Sequence, residues 1–385
     1  MDQVLEKFPE NDWLRGVKFI SSDIFQRKLV KAVLFMVLLV HLTASVITIR
    51  AILIKDITAK EFTFYGPVFF GCFYGMLAIY IILFEKNFIA NLSGELKMWS
   101  FRSAGAEITR QIRFESRVVT IYAIINFVMV VIASCLHITP LESDYETFYM
   151  IRFFEDKIPD YANVCKTSYR STFLVMGYVM MVHVYQIIYA TQHGKFQIML
   201  YLEYVKRVTQ FNEKIGEKCL FYNESFQKMV ARKLKNCVIR HNEFLKYHRK
   251  NTREMSHWIV AFSLCGCLLG ISVFFYILSG VIYREQYFRV AVLLTTAAST
   301  FVAFIVAGQS LESRVDNGYS VVSRIEWYNF SETNKKTYFL LLVMLMQPWK
   351  IKFSDKYSIN YELGLSIVRG IYSIISVMVN IRFDS

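Results

Sequence analysis

Six polar residues lie along the last hydrophobic stretch of this 385-residue chain. Glu362, Ser366, Arg369, Ser373, Ser376 and Asn380 follow one another in steps of four, three, four, three and four. At about 100° per residue, all six fall within roughly 80° of one another on a helix. A polar stripe on an apolar helix needs a wet or protein-covered face. Two readings meet that need. The stripe lines a conduction path, or it forms a buried seam in which small serines let helices approach and hydrogen-bond.

Other chemistry-bearing residues do not assemble into a catalytic pattern. The seven histidines give no H-E-x-x-H pair, and His183 and His193 read as buried hydrogen-bonders. Cys265 and Cys267 lack the C-x-x-C spacing and sit inside an apolar run. An odd total of seven cysteines argues against a disulfide framework. Asp56 and Glu61 have no partner for acid–base work, and no glycine-rich nucleotide loop is present. The chain therefore reads as no enzyme, with no cofactor implied. A net charge of +13 invites a nucleic-acid reading. Its positive residues lie between apolar runs, where membrane topology accounts for them, so no nucleic-acid partner is expected.

The elements that carry the stripe are membrane helices. Hydrophobic residues make up 55% of the chain, and the mean hydropathy is +0.34. Six apolar runs are long enough for a bilayer core of about 30 Å: Leu29–Ile54, Phe64–Phe84, Val118–Ile138, Ser171–Ala190, Trp258–Ser279 and Phe288–Val306. Tyr361–Ile381 is a seventh candidate, apolar apart from Glu362 and Arg369 and the small polar residues of the stripe. Thr337–Met346 is too short to span and is expected under the membrane or in a cytosolic core. The expected fold is an all-α membrane protein of seven transmembrane helices. With seven spans, one side collects 32 of the 44 Lys and Arg residues and the other 10. The positive-inside rule then puts the N-terminus in the cytosol and the C-terminus outside. That orientation is opposite to a G-protein-coupled receptor, and neither D-R-Y after span three nor N-P-x-x-Y is present.

Segment boundaries follow. A cytosolic N-terminal segment covers 1–28, and spans one to four cover 29–190. Residues 191–256 have amphipathic spacing and are expected as a cytosolic helical extension, with adsorption to the membrane surface as the alternative. Spans five and six fall in 257–311, a cytosolic anchor segment with a short helix in 312–360, and the last helix with an outer tail in 361–385.

The C-terminal third carries an ordered series of motifs. Gly308-Gln309-Ser310, Ser313 and Asp316 lead to Ser323-Arg324-Ile325-Glu326-Trp327-Tyr328. Asn334-Lys335-Lys336, a leucine run, Gln347-Pro348-Trp349-Lys350 and finally Tyr372-Ser373 follow. This succession resembles the seven-transmembrane insect odorant receptors. Gln309 stands where that family commonly has Asn, and Gln347-Pro348 lacks an intervening Lys. In the related gustatory receptors a T-Y-x-x-x-x-x-Q-F motif lies in the last span. Here Thr337-Tyr338 and Gln347 precede that span, which favours the odorant branch.

The resemblance implies a ligand-gated, non-selective cation channel in the plasma membrane of an olfactory neuron dendrite. The last helix would line a central tetrameric pore. The cytosolic ends of spans four to seven would form a shared anchor. A chain of this length implies a tuning subunit that forms a heterotetramer with the co-receptor Orco. The ligand would be a small volatile compound, held in the outer half of the bundle among spans two, three, four and six. Candidates there are Phe70, Phe73 and Tyr74; Val131, Ser134, Cys135 and His137; Phe173, Met176, Gly177 and Met180; and Leu293, Thr296 and Ser299. Registration on the family's Y-S motif puts a hydrophobic gate at Ile375 and Val379. Ser373, Ser376 and Asn380 would then belong to the pore wall or a subunit contact. The alternatives are a gustatory-type homomeric channel, a secondary transporter and a G-protein-coupled receptor.

Overall fold

A computed structural model of the chain describes residues 12–85, 99, 105–211, 220–279, 282–346 and 358–383; residues 59–60, 251–252, 255 and 378–383 are described by backbone alone. The motif residues Gln347-Pro348-Trp349-Lys350 and the side chains of Val379 and Asn380 lie outside the described residues. The described residues form helices joined by turns, and no strand occurs among them. The principal helices are α1 (Arg15–Ser21), α2 (Lys28–Leu53), α3 (Ala59–Phe84), α4 (Ala106–Ile138), α5 (Asp144–Thr147), α6 (Tyr149–Lys157), α7 (Ala162–Lys206), α8 (Glu224–Leu278), α9 (Tyr287–Ser323), α10 (Glu332–Leu345) and α11 (Tyr361–Phe383).

Local chemistry starts several of these helices. Thr58 and Glu61 form a reciprocal capping box at α3: the Thr58 side chain accepts from the Glu61 N–H, and Glu61 Oε2 accepts from the Thr58 N–H at 2.8 Å. Asn223 caps α8 by accepting from the Phe226 N–H at 2.8 Å. Asn360 accepts from the Leu363 N–H at 3.0 Å and opens α11 in the same way.

Among the described residues, six helices are long and apolar enough to cross a membrane. They lie in α2, α3, α4, α7, α8 and α9, and make the chain a multi-pass helical membrane protein. The segment expected as the seventh span is α11, a 23-residue helix carrying Glu362 and Arg369. Two helices far exceed a bilayer. α7 has 45 residues and α8 has 55, so at 1.5 Å per residue they run about 68 and 82 Å. More than half of each must therefore lie beyond a core of about 30 Å.

The two parts of these helices solve different solvation problems. In the membrane stretch of α8 only 11% of residues are buried within the chain, and α2 exposes Leu29, Met36, Val46 and Leu53. Lipid covers such faces at no cost. Beyond the membrane, apolar side chains must bury one another from water. Tyr201 and Val205 of α7, Phe226, Val230 and Leu234 of α8, Val322 of α9 and Tyr338 and Leu341 of α10 do so in one continuous core. Thr337–Met346 thus belongs largely to a packed helix, whose Tyr338 hydroxyl donates to the Val322 carbonyl at 3.1 Å. α7 is the hub, touching α1, α2, α3, α4 and α9, whereas α8 pairs with α3, α10 and α11.

Candidate ligand cavity and pore helix

A cavity opens where α2, α3 and α7 meet the 139–161 connection. His41, Ala44, Ser45 and Thr48 of α2 form one wall, Tyr65, Val68, Phe69 and Cys72 of α3 another, and Tyr169 of α7 a third. Phe148, Tyr149 and Met150 close it from the connection. About 30 Å³ is open to the centres of water-sized spheres, room for roughly two waters. Most of the lining is aromatic or aliphatic, as small-molecule sites are.

Most polar wall groups have partners. Thr48 donates to the Ala44 carbonyl at 2.8 Å. The Tyr149 hydroxyl donates to Asp56 Oδ2 at 3.2 Å, and the Tyr65 hydroxyl accepts from Arg152 at 3.2 Å. Tyr169 meets the Cys72 thiol. His41 differs. Its Nε2 stands 2.9 Å from Thr172 Oγ1, while that hydroxyl donates its single proton to the Tyr169 carbonyl at 2.6 Å. Nε2 must therefore be the donor to Thr172. His41 Nδ1 is buried without a hydrogen-bond partner, and the residue is 0% exposed.

The cap over the cavity is held by charge. Arg152 pairs with Glu61 at 2.9 Å. Its guanidinium is held above its ordinary value, chiefly by the hydrogen bond to Tyr65. Burial, helped by Asp56, pushes the Tyr149 hydroxyl up to about 12. Behind the cap, Asp144 is 1% exposed and accepts from Arg170 of α7 at 2.8 Å and from Arg289 of α9 at 2.6 Å. One carboxylate thus ties the connection to two long helices.

The ligand residues expected from sequence fall into several neighbourhoods. Phe173 is a ring hub, with His41, His137, Phe148 and Tyr169 centroids 5.3–6.3 Å away. His137 also bonds the Ala133 carbonyl through Nδ1 at 2.8 Å. Phe70 and Phe73 stack edgewise around Phe69, 5.4 and 4.9 Å away. Tyr74 turns instead to Phe262 of α8, at 5.2 Å. Met176 and Met180 pack over Gly75, and Gly177 meets Ser134 so closely that a Cβ would collide with its hydroxyl. Ser134 and Thr296 are buried and bond their own helices, whereas the Ser299 carbonyl accepts from the Tyr122 hydroxyl of α4 at 2.7 Å. Val131 and Leu293 are half-buried, and Cys135 is exposed. None of these fourteen residues lines the cavity itself, although Phe173 packs against His41, Phe148 and Tyr169 of its lining.

Sequence reasoning missed His41, the cap and the polar centre at Asn126. That amide donates to Tyr185 at 3.1 Å and to Thr300 at 2.8 Å, joining α4, α7 and α9. It also missed Arg240, 1% exposed, which stacks on Trp99 at 4.9 Å and on Phe244 at 4.7 Å while donating to Gln197. Burial lowers the Arg240 pKa, and the Glu243 carboxylate opposes that shift.

α11 leans on the bundle by one face. Leu363 and Gly364 are buried. Gly364 sits over Ile305 of α9, and Ile371 over Gly270 of α8. At the entrance to α11, Gly308 of α9 touches Ile359, and Glu312 accepts from Ser358 and Asn360 at 3.3 Å. Glu362, Ser366, Arg369 and Ser373 lie exposed on the far side, and Ser376 is half-buried. Ile375, half-buried, continues the row of Ile367 and Ile371.

The long apolar helices, the cavity under a charged cap and a separate last helix define a multi-pass helical membrane protein. Its architecture matches solved structures: the chain has the fold of the insect olfactory receptors. It superposes on the olfactory receptor OR5 from Machilis hrabei with a TM-score of 0.70 at 10% identity, covering 98% of this chain and 94% of that one. OR5 in complex with eugenol gives 0.66, with the same identity and coverage. No family model and no curated protein matches the sequence.

Proposed function

We propose that the chain is an odorant-gated, non-selective cation channel subunit of the tuning type. The observation that supports this best is the shared fold over 98% of the chain with an olfactory receptor, one also solved with the volatile phenol eugenol. α11 is the seventh span: 23 residues reach about 34 Å. The N-terminus is cytosolic, in line with the side that holds 32 of 44 basic residues. Spans one to four, the extension 191–256, spans five and six, the anchor 312–360 and the pore helix with its tail follow the boundaries read from sequence. A small volatile ligand binds in the outer half of the bundle, around the Phe173 hub. It acts on the cap, and Asp144 passes the displacement through Arg289 to α9. Gly308 and Glu312 hand it to the start of α11.

Glu362, Ser366, Arg369 and Ser373 of the polar stripe are exposed on α11, which supports a role at the ion path or a neighbouring subunit. Ile375 and Val379 form the apolar constriction and block ions by dewetting. Ser373, Ser376 and Asn380 line the wall beside it. The subunit works with Orco in a plasma-membrane heterotetramer and performs no enzymatic reaction.

The test is an odorant panel recorded from cells expressing the chain with and without the co-receptor. Currents that require both partners are expected. A robust current from the chain alone replaces the reading with a gustatory-type homomer. Silence to the whole panel in both settings, with the protein at the cell surface, overturns the odorant-gated reading.

A further inference from the structure

We infer that the membrane-proximal start of α4 binds the headgroup of an anionic phospholipid, with Arg110, Arg113 and Arg117 as the phosphate-binding groups. Ile121, Ile125 and Val128 lie exposed along one side of α4. Such a row on a helix long and apolar enough to span faces lipid. The same side continues into Arg117, Phe114, Arg113 and Arg110, all exposed. At about 100° per residue these seven positions stay within roughly 120° of one another. The arginines thus meet the lipid where the apolar run gives way at Val118. At 1.5 Å per residue, Arg117 stands at that edge, Arg113 about 8 Å below it and Arg110 about 12 Å below it. The headgroup layer is roughly 5–8 Å deep, so Arg117 and Arg113 bracket it. Arg110 stands just beyond, at the depth reached by phosphates on an extended inositol ring.

These cations carry a surplus of charge. None of the three forms an ion pair among the described residues, and the acid beside them, Glu115, is turned to Lys195 at 2.6 Å and Arg314 at 3.8 Å. Glu107 lies further from the membrane. Arg113 is already held in place, its guanidinium stacked over Trp13 at 5.3 Å. Trp13 precedes α1, whose Gly16 approaches Thr120 so closely that a Cβ would stand 3.1 Å from its methyl group. α1 therefore lies against α4 at the membrane edge and brings the exposed Arg15 and Phe19 there. Guanidiniums grip phosphate through paired donors, while Phe114 and Phe19 offer apolar surface to the acyl boundary. That pairing of charge with a lipid-facing apolar row fits a lipid rather than a free phosphate. That the leaflet is the cytosolic one rests on the orientation proposed above; the binding does not.

The probes are phosphatidylinositol 4,5-bisphosphate, phosphatidylserine and phosphatidylcholine, titrated onto the full chain in detergent and counted by native mass spectrometry. Wild type should bind the bisphosphate lipid most tightly and phosphatidylcholine at least tenfold more weakly. Arg110→Gln, Arg113→Gln and Arg117→Gln combined should weaken binding of the bisphosphate lipid tenfold or more, since each arginine near an anionic surface contributes a factor of about five. Lys246→Gln, Arg249→Gln and Arg253→Gln combined remove as much charge from exposed positions of α8 and should change binding less than about twofold. Binding indifferent to headgroup charge overturns the inference, as does an equal loss in the two triple variants. Inositol 1,4,5-trisphosphate bound as tightly as the lipid, with the same arginine dependence, overturns it in favour of a soluble polyphosphate. A changed oligomer mass in the α4 variant with lipid binding intact overturns it in favour of a contact between copies. The wild-type ranking of the three lipids stands even where a variant fails to fold. Odorant currents from a chain without lipid selectivity sink the inference and leave the channel reading intact. Arginine-dependent lipid binding without any odorant current does the reverse.

Discussion

Gly308→Ala tests whether α9 and the entry of α11 act as one mechanical joint. A Cβ at position 308 would collide with the Ile359 carbonyl, and would stand 2.6 Å from Ile359 Cγ2 and 2.9 Å from its Cβ. Carbon atoms pack at about 3.5–4.0 Å, so the segment must retreat by roughly 1 Å. The obstacle includes backbone, which has no rotamer to escape into. Glu312 holds that same segment through Ser358 and Asn360, so retreat also stretches those bonds. Overpacking of this kind costs about 1–3 kcal/mol, a loss of a few degrees in melting temperature. Gly370→Ala is the internal control, because nothing lies within 4 Å of a Cβ there. The assay pairs thermal unfolding in detergent with basal and odorant-evoked currents. Gly308→Ala should melt lower and show altered gating, while Gly370→Ala keeps wild-type stability. Equal melting and equal currents in both variants would refute the joint.

Three further outcomes are expected. Asp144→Asn leaves Arg170 and Arg289 without their shared counter-charge; it should lose about 3–5 kcal/mol and reach the cell surface poorly, and normal surface levels would count against the cap as a structural tie. Burial holds the His241 imidazole below its ordinary value, with only the Met344 backbone opposing the shift. The folded state then takes up the proton less readily than the unfolded one, so this stability is complete above about pH 6.5 and falls with pH below it, by at most about 1.4 kcal/mol per unit. Melting at pH 7.5 and 5 should therefore differ less in His241→Gln than in wild type, and identical pH slopes would dismiss the assignment. In the pore, Val379→Gln or Val379→Ala should raise basal current or change permeability, whereas unchanged current and selectivity in both remove the constriction; Ser376→Ala in the same recordings weighs the serine face.

Much of the architecture is written in local pattern. Composition and run length alone define the six apolar helices, because a bilayer selects for length and hydropathy without regard to partners. Helical periodicity also places the stripe from Glu362 to Asn380 on one face, and the amphipathic rhythm after residue 194 announces helices that leave the membrane. Local pattern also explains the starts of α3 and α8, where Thr58 with Glu61 and Asn223 satisfy the first free N–H groups.

What the tertiary structure decided is which faces meet. Arg240 reads as one basic residue among many, until folding sets it between Trp99, Gln197 and Phe244. Asp144 is an ordinary acid of a connecting segment, yet its partners are 26 and 145 positions away. His41 is a lone histidine in an apolar run, and its tautomer is fixed by Thr172, 131 residues on. A side chain's hydrogen-bond state depends on neighbours that only packing supplies, so no spacing rule reaches it. The sequence by itself determined that this is a helical membrane protein with a polar line on its last helix; the fold decided that Glu362, Ser366, Arg369 and Ser373 of that line stand exposed and that His41 lies beside a cavity.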